Sequence, residues 1–188
     1  MDLFERAAEF AIHAHEGAVR KKEDIPFILH PMEAAAIAAT MTQDREILAA
    51  AMLHDTVEDT DATIEDIERN FGPRVAALVG HETEDKRDGL PRSATWRARK
   101  EDSLKVLRES DDPAVTILWI SDKLSNMRSF HRQWLVKGDA LWNAFNMKDP
   151  AQQRWYYESV LELTSSMSHT PAWQELKRLT DIVFGNIK

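Results

Sequence analysis

The sequence predicts an all-α fold of about eight to ten helices. Apolar residues recur at helical spacing over most of the chain, and no segment shows the alternation of apolar and polar residues that is typical of a strand. The chain contains only 6 glycines and 7 prolines, and several of them stand where a helix is expected to begin or end. These observations indicate a helical bundle.

Each helix is delimited by local signals. Pro31 and Pro73 fit the first turn of a helix, and Gly72 fits the position just after one. Thr63 and Asp66 resemble a capping box with Asp in place of Glu. A polar stretch at 84–94 without helical periodicity predicts a mobile loop. The helices so delimited span approximately residues 2–17, 31–41, 45–57, 63–71, 73–83, 95–109, 114–137, 150–168 and 171–185.

Length and composition set broad limits on the class of protein. A chain of 188 residues predicts one domain, with a core of about 5–138 and C-terminal helices of about 150–186 packed on it. The absence of cysteine excludes disulfides, thiolate zinc sites and cysteine nucleophiles, and it fits a cytoplasmic protein. We see no signal peptide and no apolar run of the roughly 20 residues that span a membrane, and so expect no membrane association.

The formal net charge of −8 argues against non-specific nucleic-acid binding, which needs a basic surface. Two local basic clusters remain, Arg20-Lys21-Lys22 and the group Arg97, Arg99 and Lys100. Such clusters either bind an anionic small molecule or are isolated solvated charges, and the sequence leaves both interpretations open. Nothing in the sequence predicts an oligomeric state.

The segment His54-Asp55-Thr56-Val57-Glu58-Asp59-Thr60 concentrates one imidazole and three carboxylates. Burying such a cluster is costly unless the charges are paired or hold a metal. If the segment is helical, His54 lies on the same side as Glu58, and Asp55 on the same side as Asp59. An apolar run, 47–53, precedes the cluster, so it stands at the end of a core helix. This is a suitable place for a metal-dependent active site.

Further ligands are expected from two other segments. His30 stands immediately before Pro31, near a helix start, and Asp122 lies among apolar residues of a predicted helix, with Asn126 one turn later. Ordinary roles remain open for each. The alternatives are that His30 bonds to backbone, that Asp122 pairs with Lys123 or an arginine, and that Glu58-Asp59 forms a solvated helix end or a cap for the helix after Thr60. The remaining histidines are taken as surface or core residues: His13, His15, His81, His131 and His169.

Taken together, these motifs resemble the HD superfamily of metal-dependent phosphohydrolases. The resemblance is to the hydrolase domain of RelA/SpoT-type proteins and to the stand-alone small alarmone hydrolases, over roughly residues 5–165. The matching segments, in chain order, are Ala14-His15-Glu16-Gly17 with Arg20, Pro26-Phe27-Ile28-Leu29-His30-Pro31, the HDxxEDT segment at 54–60, Phe71-Gly72-Pro73-Arg74-Val75, Asp122–Arg128, and the aromatic residues Trp142, Phe145 and Trp155-Tyr156-Tyr157. The resemblance implies a compact, single-domain, HD-type helical bundle.

The resemblance also implies a mechanism. His30, His54, Asp55 and Asp122 would hold one divalent metal, usually Mn2+, although Zn2+ and Fe2+ accept the same ligands. The metal would polarise a phosphate oxygen and lower the pKa of a water. Glu58 and Asp59 would orient and deprotonate that water. The family reaction removes pyrophosphate from ppGpp or pppGpp, leaving GDP or GTP, and belongs to the stringent response.

Substrate-binding roles follow from the same resemblance. Arg20 resembles the residue that stacks on guanine, Lys21 would contact phosphate, and Asn126 resembles a nucleotide contact. Weaker candidates for substrate contacts are Lys100, Arg128, Arg154 and Tyr156. Tyr156 is equally consistent with core packing. The chain ends where a bifunctional relative continues into a synthetase domain, so we expect it to degrade the alarmone and not to make it.

Two departures from the family pattern affect base recognition. Phe27 lacks the hydroxyl of the usual Tyr, and the segment 20–24 is more charged than its usual counterpart. Alternatives therefore stay open. One alternative is the same chemistry on an adenine alarmone, another 3′-phosphorylated nucleotide, NADPH or a 5′-nucleotide. A nucleotide-binding module without catalysis is a further alternative, which the complete set of motif residues disfavours.

Overall fold

The all-α architecture is confirmed in the computed structural model, which describes residues 1–20, 23–84, 87 and 89–185. Over these residues the chain forms helices and no strand, apart from an isolated antiparallel bridge between Val19 and Pro26. The helices are α1 Leu3–Ala14, α2 Leu29–Ala38, α3 Arg45–Leu53, α4 Thr56–Asp59, α5 Ile64–Phe71, α6 Pro73–Glu82, α7 Arg92–Glu109, α8 Pro113–Lys137, α9 Pro150–Leu163 and α10 Pro171–Phe184. Two 3₁₀ segments, Gly138–Ala144 and Ser165–Met167, follow α8 and α9.

Local capping explains why these helices begin and end where they do. The predicted capping box of α5 is present: the Thr63 hydroxyl accepts from the Asp66 backbone N–H, and the Asp66 carboxylate accepts from the Thr63 backbone N–H. Asp2 and Glu5 form a second capping box at α1. Gly72, with φ of +94°, separates α5 from α6 in a backbone conformation that other residues rarely adopt.

The structure differs from the predicted helix limits in several places, and α1, α2 and α9 end at Ala14, Ala38 and Leu163, three to five residues earlier than predicted. The predicted third helix, 45–57, is broken: α3 ends at Leu53, a turn carries His54 and Asp55, and α4 follows. Helix α7 begins at Arg92, three residues earlier than expected, within the predicted polar loop. The expected connector after Gly138 is itself a 3₁₀ helix. Helical propensity does not reveal such breaks, because long-range packing decides them.

The described residues group into two compact units. Unit 1 comprises Met1–Thr83 and Asp111–Asp122, and contains every residue of the predicted metal site. Unit 2 comprises the described residues of Glu84–Ser110 and Lys123–Lys188. The single-domain organisation expected from the sequence stays a prediction.

Helix α3 is the centre of unit 1. All seven residues from Ile47 to Leu53 are buried, so this helix is apolar on every side. It packs against α1, α2 and α6, and α6 also packs against α5. Because Ala49, Ala50 and Ala51 have small side chains, neighbouring helices can approach α3 closely. The enclosed helix holds the turn at its C-terminal end in a defined place.

Unit 2 is built on α9, which packs against α7 and α10. Aromatic side chains fill its interior: the Trp142 and Phe184 rings stack with centroids 5.2 Å apart, and Phe130 meets the edge of Tyr157 at 5.7 Å. Buried Arg99 forms an ion pair with Glu84, so the buried charge is compensated. Among the described helices of both units, none has the combination of length and apolarity that crossing a membrane requires.

Candidate metal centre and substrate residues

Four side chains of unit 1 converge at one point. His30 lies in the first turn of α2, His54 and Asp55 occupy the turn between α3 and α4, and Asp122 lies in α8. His30, His54 and Asp122 are buried, and 20% of the Asp55 side chain is exposed. His54 and Asp55 both keep right-handed helical backbone angles, so their side chains leave the turn about 100° apart and the common point lies between the two directions.

The ligand atoms are close to one another. Nε2 of His30 lies 3.1 Å from Nε2 of His54 and 3.3 Å from Oδ2 of Asp55. Oδ1 of Asp122 lies 3.1 Å from Nε2 of His30 and 3.6 Å from Nε2 of His54, and Oδ2 of Asp55 lies 3.3 Å from Nε2 of His54. The two imidazoles meet edge to face, with centroids 5.0 Å apart. Two imidazoles and two carboxylates therefore present one atom each to a common centre.

These separations fit a coordination shell. Ligands bound about 2.0–2.2 Å from a metal lie about 2.8–3.1 Å from one another in an octahedral shell and about 3.3–3.6 Å in a tetrahedral shell. His30, His54 and Asp122 form a group able to hold a divalent metal, and the buried position of all three reinforces that interpretation. An HD domain implies such a metal. The mixed nitrogen and oxygen ligand set is suited to Mn2+, Zn2+ or Fe2+ alike.

The orientation of His54 is set by a hydrogen bond to the backbone. Nδ1 of His54 lies 2.8 Å from the carbonyl oxygen of Ala51, which can only accept, so Nδ1 carries the hydrogen. In the neutral ring, Nε2 then carries the lone pair that points at His30, Asp55 and Asp122. Fixing one ring nitrogen in this way is how proteins orient a metal-ligating imidazole.

Charge in the metal-free cluster favours a cation. Burial on its own lowers the pKa of His54, but the carboxylates of Asp55 and Asp122 outweigh burial and hold that pKa well above its ordinary value. Burial likewise raises the pKa of Asp55, but the neighbouring imidazoles of His54 and His30 leave it well below its ordinary value. Without a metal, the cluster thus binds a proton at His54, and a divalent cation competes for the same place.

Glu58 and Asp59 lie in α4, directly after the ligand turn. The Asp59 N–H donates to the Asp55 carbonyl at 2.9 Å, so the short helix is tied to the turn. Glu58 is half-buried and Asp59 is exposed, which leaves carboxylates next to the cluster within reach of water. Two of the predicted ligands thus lie in the turn, and the two carboxylates follow in α4.

Arg20 lies in the connection between α1 and α2. This connection folds back on itself: the Phe27 N–H donates to the Ala18 carbonyl at 2.9 Å, and the Arg20 N–H donates to the Ile25 carbonyl at 2.8 Å. The Arg20 guanidinium lies 3.4 Å from Glu23. Lys21, the neighbouring candidate for a phosphate contact, lies outside the residues that the structure describes.

The remaining substrate candidates belong to unit 2, where each already has a neighbour. Nζ of Lys100 lies 2.7 Å from Glu84 and 4.9 Å from the centroid of the Tyr156 ring. Tyr156 is buried, with its ring 6.1 Å from that of Trp96.

Arg128 forms a bidentate pair with Glu175 at 2.8 and 2.7 Å. Arg154 lies 2.8 Å from Glu158, and Asn126 is half-buried in α8. Their contacts with a substrate stay predictions.

The sequence does not indicate an unusual position for His15. It predicts a surface or core histidine, and the residue is buried. Neither of its ring nitrogens has a hydrogen-bond partner among the described residues. The segment Ala14-His15-Glu16-Gly17 marked it only through its likeness to the opening helix of the family.

Comparisons with known proteins agree with this geometry. The model of the HD domain family matches residues 7–141. The mouse guanosine-3′,5′-bis(diphosphate) 3′-pyrophosphohydrolase MESH1 is 39% identical over 130 residues, which are 67% of this chain and 68% of the mouse protein. The guanosine-3′,5′-bis(diphosphate) 3′-pyrophosphohydrolase of Aquifex aeolicus is 38% identical over 129 residues, 66% of this chain but only 17% of that longer protein.

Two solved structures share the fold. A metazoan ortholog of SpoT, described as hydrolysing ppGpp, superposes with a TM-score of 0.73 at 24% identity, over 98% of this chain and 95% of that chain. A Listeria monocytogenes protein superposes with a TM-score of 0.72 at 28% identity, over 84% of this chain and 99% of that chain. The HD-type fold expected from the sequence is thereby confirmed. From its helices, its ligand cluster and its relatives, the chain belongs to the HD domain family.

Proposed function

We propose that this protein is a metal-dependent 3′-pyrophosphohydrolase that converts ppGpp and pppGpp to GDP and GTP, with release of pyrophosphate. One observation carries the proposal: the two imidazoles of His30 and His54 and the carboxylates of Asp55 and Asp122 converge beside Glu58 and Asp59. This chain, which carries these residues, is 39% identical to the mouse pyrophosphohydrolase over 130 residues.

The residues that would hold the metal are His30, His54, Asp55 and Asp122, and we propose Mn2+ as the ion. When bound, such an ion withdraws charge from a phosphate oxygen and lowers the pKa of a water. The protein contributes a fixed set of ligand atoms 3.1–3.6 Å apart and the Ala51 carbonyl that orients His54. Because the ligands are oriented before the ion arrives, little ordering accompanies binding.

Glu58 and Asp59 are the proposed catalytic carboxylates. A carboxylate at this position accepts a proton from water, and the water oxygen then attacks the phosphorus that is attached to the ribose 3′ oxygen. The bond from that phosphorus to the 3′ oxygen breaks, the 3′ oxygen takes up the proton that the carboxylate accepted, and pyrophosphate leaves the GDP or GTP product. Glu58 is the stronger candidate for the base, because it is half-buried whereas Asp59 is exposed.

Substrate recognition is assigned to basic and polar side chains that the resemblance to the family marks. Arg20 is proposed to stack on guanine, because a planar guanidinium suits the face of a base. Lys21 and Asn126 are proposed as nucleotide contacts, with Lys100, Arg128, Arg154 and Tyr156 as secondary candidates. A phosphate that reaches Lys100 or Arg128 competes with the carboxylates of Glu84 and Glu175. A substrate of this class predicts a cytoplasmic location.

The test compares several nucleotides on one preparation. Metal-stripped protein is reloaded with Mn2+ and given ppGpp, its adenine analogue, NADPH and simple 5′-nucleotides. We expect pyrophosphate release from ppGpp at a kcat/KM well above that for the others. Turnover of NADPH or 5′-nucleotides alone would contradict the proposed substrate while leaving the hydrolytic chemistry in place. Tight binding of ppGpp with no turnover of any compound would favour a non-catalytic module.

A further inference from the structure

His15 has an unusual environment for a buried polar side chain. It follows the last residue of α1, and only 4% of its surface is exposed. Both Nδ1 and Nε2 are buried, and neither has a hydrogen-bond partner in the described part of the chain. Buried polar groups are nearly always hydrogen-bonded, because a missing bond leaves the cost of desolvation uncompensated. A buried imidazole with two such atoms is therefore suited to bind something other than its own chain.

Aromatic contacts hold the ring in place. The His15 ring packs on Phe27 with centroids 4.8 Å apart and a 38° angle between the planes. Phe27 in turn meets the edge of His30 at 6.0 Å. One phenyl ring therefore separates His15 from a residue of the ligand cluster. Phe27 has no group that hydrogen-bonds an imidazole nitrogen, so it fixes the position of His15 without using its hydrogen-bonding atoms.

Burial favours the neutral form of the His15 ring. Burial lowers the pKa of His15, and the carboxylates of Asp55 and Asp59 oppose this effect without overcoming it. A neutral imidazole offers one N–H donor and one acceptor nitrogen.

A cavity of about 430 Å³ adjoins His15, within the size range of small-molecule sites. Its walls come from the end of α1 and from the connection that carries Arg20. Among the described residues, the cavity is lined by the charged side chains of Glu16 and Asp24 and by no lysine or arginine. The remaining lining residues, apart from His15 itself, are apolar or glycine: Ile12, Gly17, Ala18, Val19, Pro26 and Ile28. Such a cavity suits an uncharged group.

We propose that His15 is a specificity-determining residue that hydrogen-bonds the uncharged nucleoside part of the substrate, at a ribose hydroxyl or at the edge of the base. The inference rests on the proposed nucleotide function of the same unit. A hydroxyl and a base edge each combine donors with acceptors, as does a neutral imidazole, whereas an ionised phosphate oxygen only accepts. The contact adds a recognition element that does not depend on the charge of Arg20.

The test uses substitutions that separate hydrogen bonding from packing. His15→Leu removes both nitrogens, and His15→Asn and His15→Gln each retain an amide group. The matched control is His13→Leu, on exposed surface of the same helix. For His15→Leu we expect KM for ppGpp to rise about tenfold, as the loss of one good hydrogen bond predicts, with kcat changed less than threefold. Asn or Gln should recover part of the loss, and His13→Leu should match the wild type.

Binding provides a readout that is independent of turnover. Calorimetric titration of ppGpp into Glu58→Gln and into the Glu58→Gln/His15→Leu double variant should show the same tenfold weakening. Circular dichroism and thermal unfolding check folding, and the Asn and Gln variants carry the test if His15→Leu does not fold. An unchanged KM and Kd in the folded variants would overturn the proposal, as would a loss confined to kcat.

Substrate analogues identify the group that His15 contacts. The 2′-deoxyribose analogue and the adenine analogue of ppGpp are compared in wild type and in the His15 variants. In His15→Leu, the preference for ppGpp over one of the two analogues, measured as the ratio of kcat/KM values, should fall about tenfold. Equal losses of kcat/KM for ppGpp and both analogues would overturn the assignment. A wild-type protein that turns over a different nucleotide contradicts the proposed function, and the same KM comparison is then made with that nucleotide. Normal wild-type turnover of ppGpp with unchanged His15 variants contradicts the role of His15 alone.

Discussion

Nε2 of His30 and Nε2 of His54 lie 3.1 Å apart, although 24 positions separate the two residues along the chain. Both rings are buried, and the carboxylates of Asp55 and Asp122 lie within 3.6 Å of them. Two buried imidazoles at this distance are energetically unfavourable unless they share a cation, because each is desolvated and only one hydrogen can lie between them. The predictions below depend on this cluster and on the residues around it.

Loss of a ligand should abolish metal binding while the fold persists. We expect wild-type protein at a free Mn2+ concentration of 100 times Kd to gain about 2.7 kcal/mol of stability by mass action. His54→Ala and Asp55→Ala should gain none of this and should lose metal-dependent turnover. Thermal unfolding with and without Mn2+ measures the gain, and helical circular dichroism checks the fold. Retained turnover in either variant would refute the metal model.

Removing the proposed base should separate chemistry from metal binding. Glu58→Gln keeps the size of the side chain but cannot accept a proton from water. Its kcat should fall by about 10²–10⁴, the usual contribution of a general base. The bound metal, measured by elemental analysis after gel filtration, should remain at the wild-type level. A parallel loss of metal and activity would assign Glu58 to the metal shell and not to proton transfer.

The metal-free protein should change stability with pH in a direction set by His54. Its pKa is raised in the folded state, so its stabilising effect is complete below the ordinary imidazole pKa and is lost as pH rises through the folded value. Asp55, whose pKa is lowered, acts in the opposite sense, and its contribution is lost as pH falls through its own folded value. Between these limits, the metal-free cluster is most stable.

Thermal unfolding in the presence of a chelator, from pH 4 to pH 9, measures this profile. We expect a fall in midpoint on the alkaline side that Mn2+ reverses, since the ion replaces the proton. Metal affinity should correspondingly weaken as pH falls and protons compete for His54. His54→Gln is the control, because it has no titrating group there and should lack the alkaline fall. An alkaline fall of the same size in that variant would show that another group is responsible.

In unit 2, Glu175→Gln should weaken the link between α8 and α10. Arg128 hydrogen-bonds both oxygens of Glu175, which lowers the pKa of Glu175 despite the opposing effect of burial. Because both side chains are about one-third exposed, we expect a cost of only about 1 kcal/mol at pH 7. The pair stabilises the fold above the ordinary carboxyl pKa and loses that effect as pH falls through the lowered value.

Urea unfolding of wild type and Glu175→Gln at pH 7 and pH 3 checks this prediction. The difference in free energy of unfolding should shrink at the lower pH. Lys177→Ala, which removes an exposed ion pair with Asp181 on the same helix, is a matched control. Its cost should be smaller, since a flexible ammonium in water contributes little. Equal costs for both variants would indicate that the bidentate geometry adds nothing.

Much of the fold and part of the site follow from the sequence alone. Helix limits set by local signals, such as the Thr63 capping box and the Gly72 turn, could be placed because caps act within a few residues of their own backbone. The pairing of His54 with Asp55 marked a metal site because few other uses justify such a cluster at the end of an apolar helix. The local sequence around His30 and Asp122 makes them candidate ligands, and the resemblance to the HD superfamily implies that they hold the metal.

Only the tertiary structure decided how these pieces meet. Burial of α3 on every side fixes its end at Leu53, and the turn there directs His54 and Asp55 toward His30 and Asp122. The same packing encloses His15 beneath Phe27 without a hydrogen-bond partner in the described chain, which no pattern of residues predicted. Local sequence determined the helices because capping and helical periodicity are short-range. The convergence of side chains from distant segments needed the structure, because it depends on how whole helices pack.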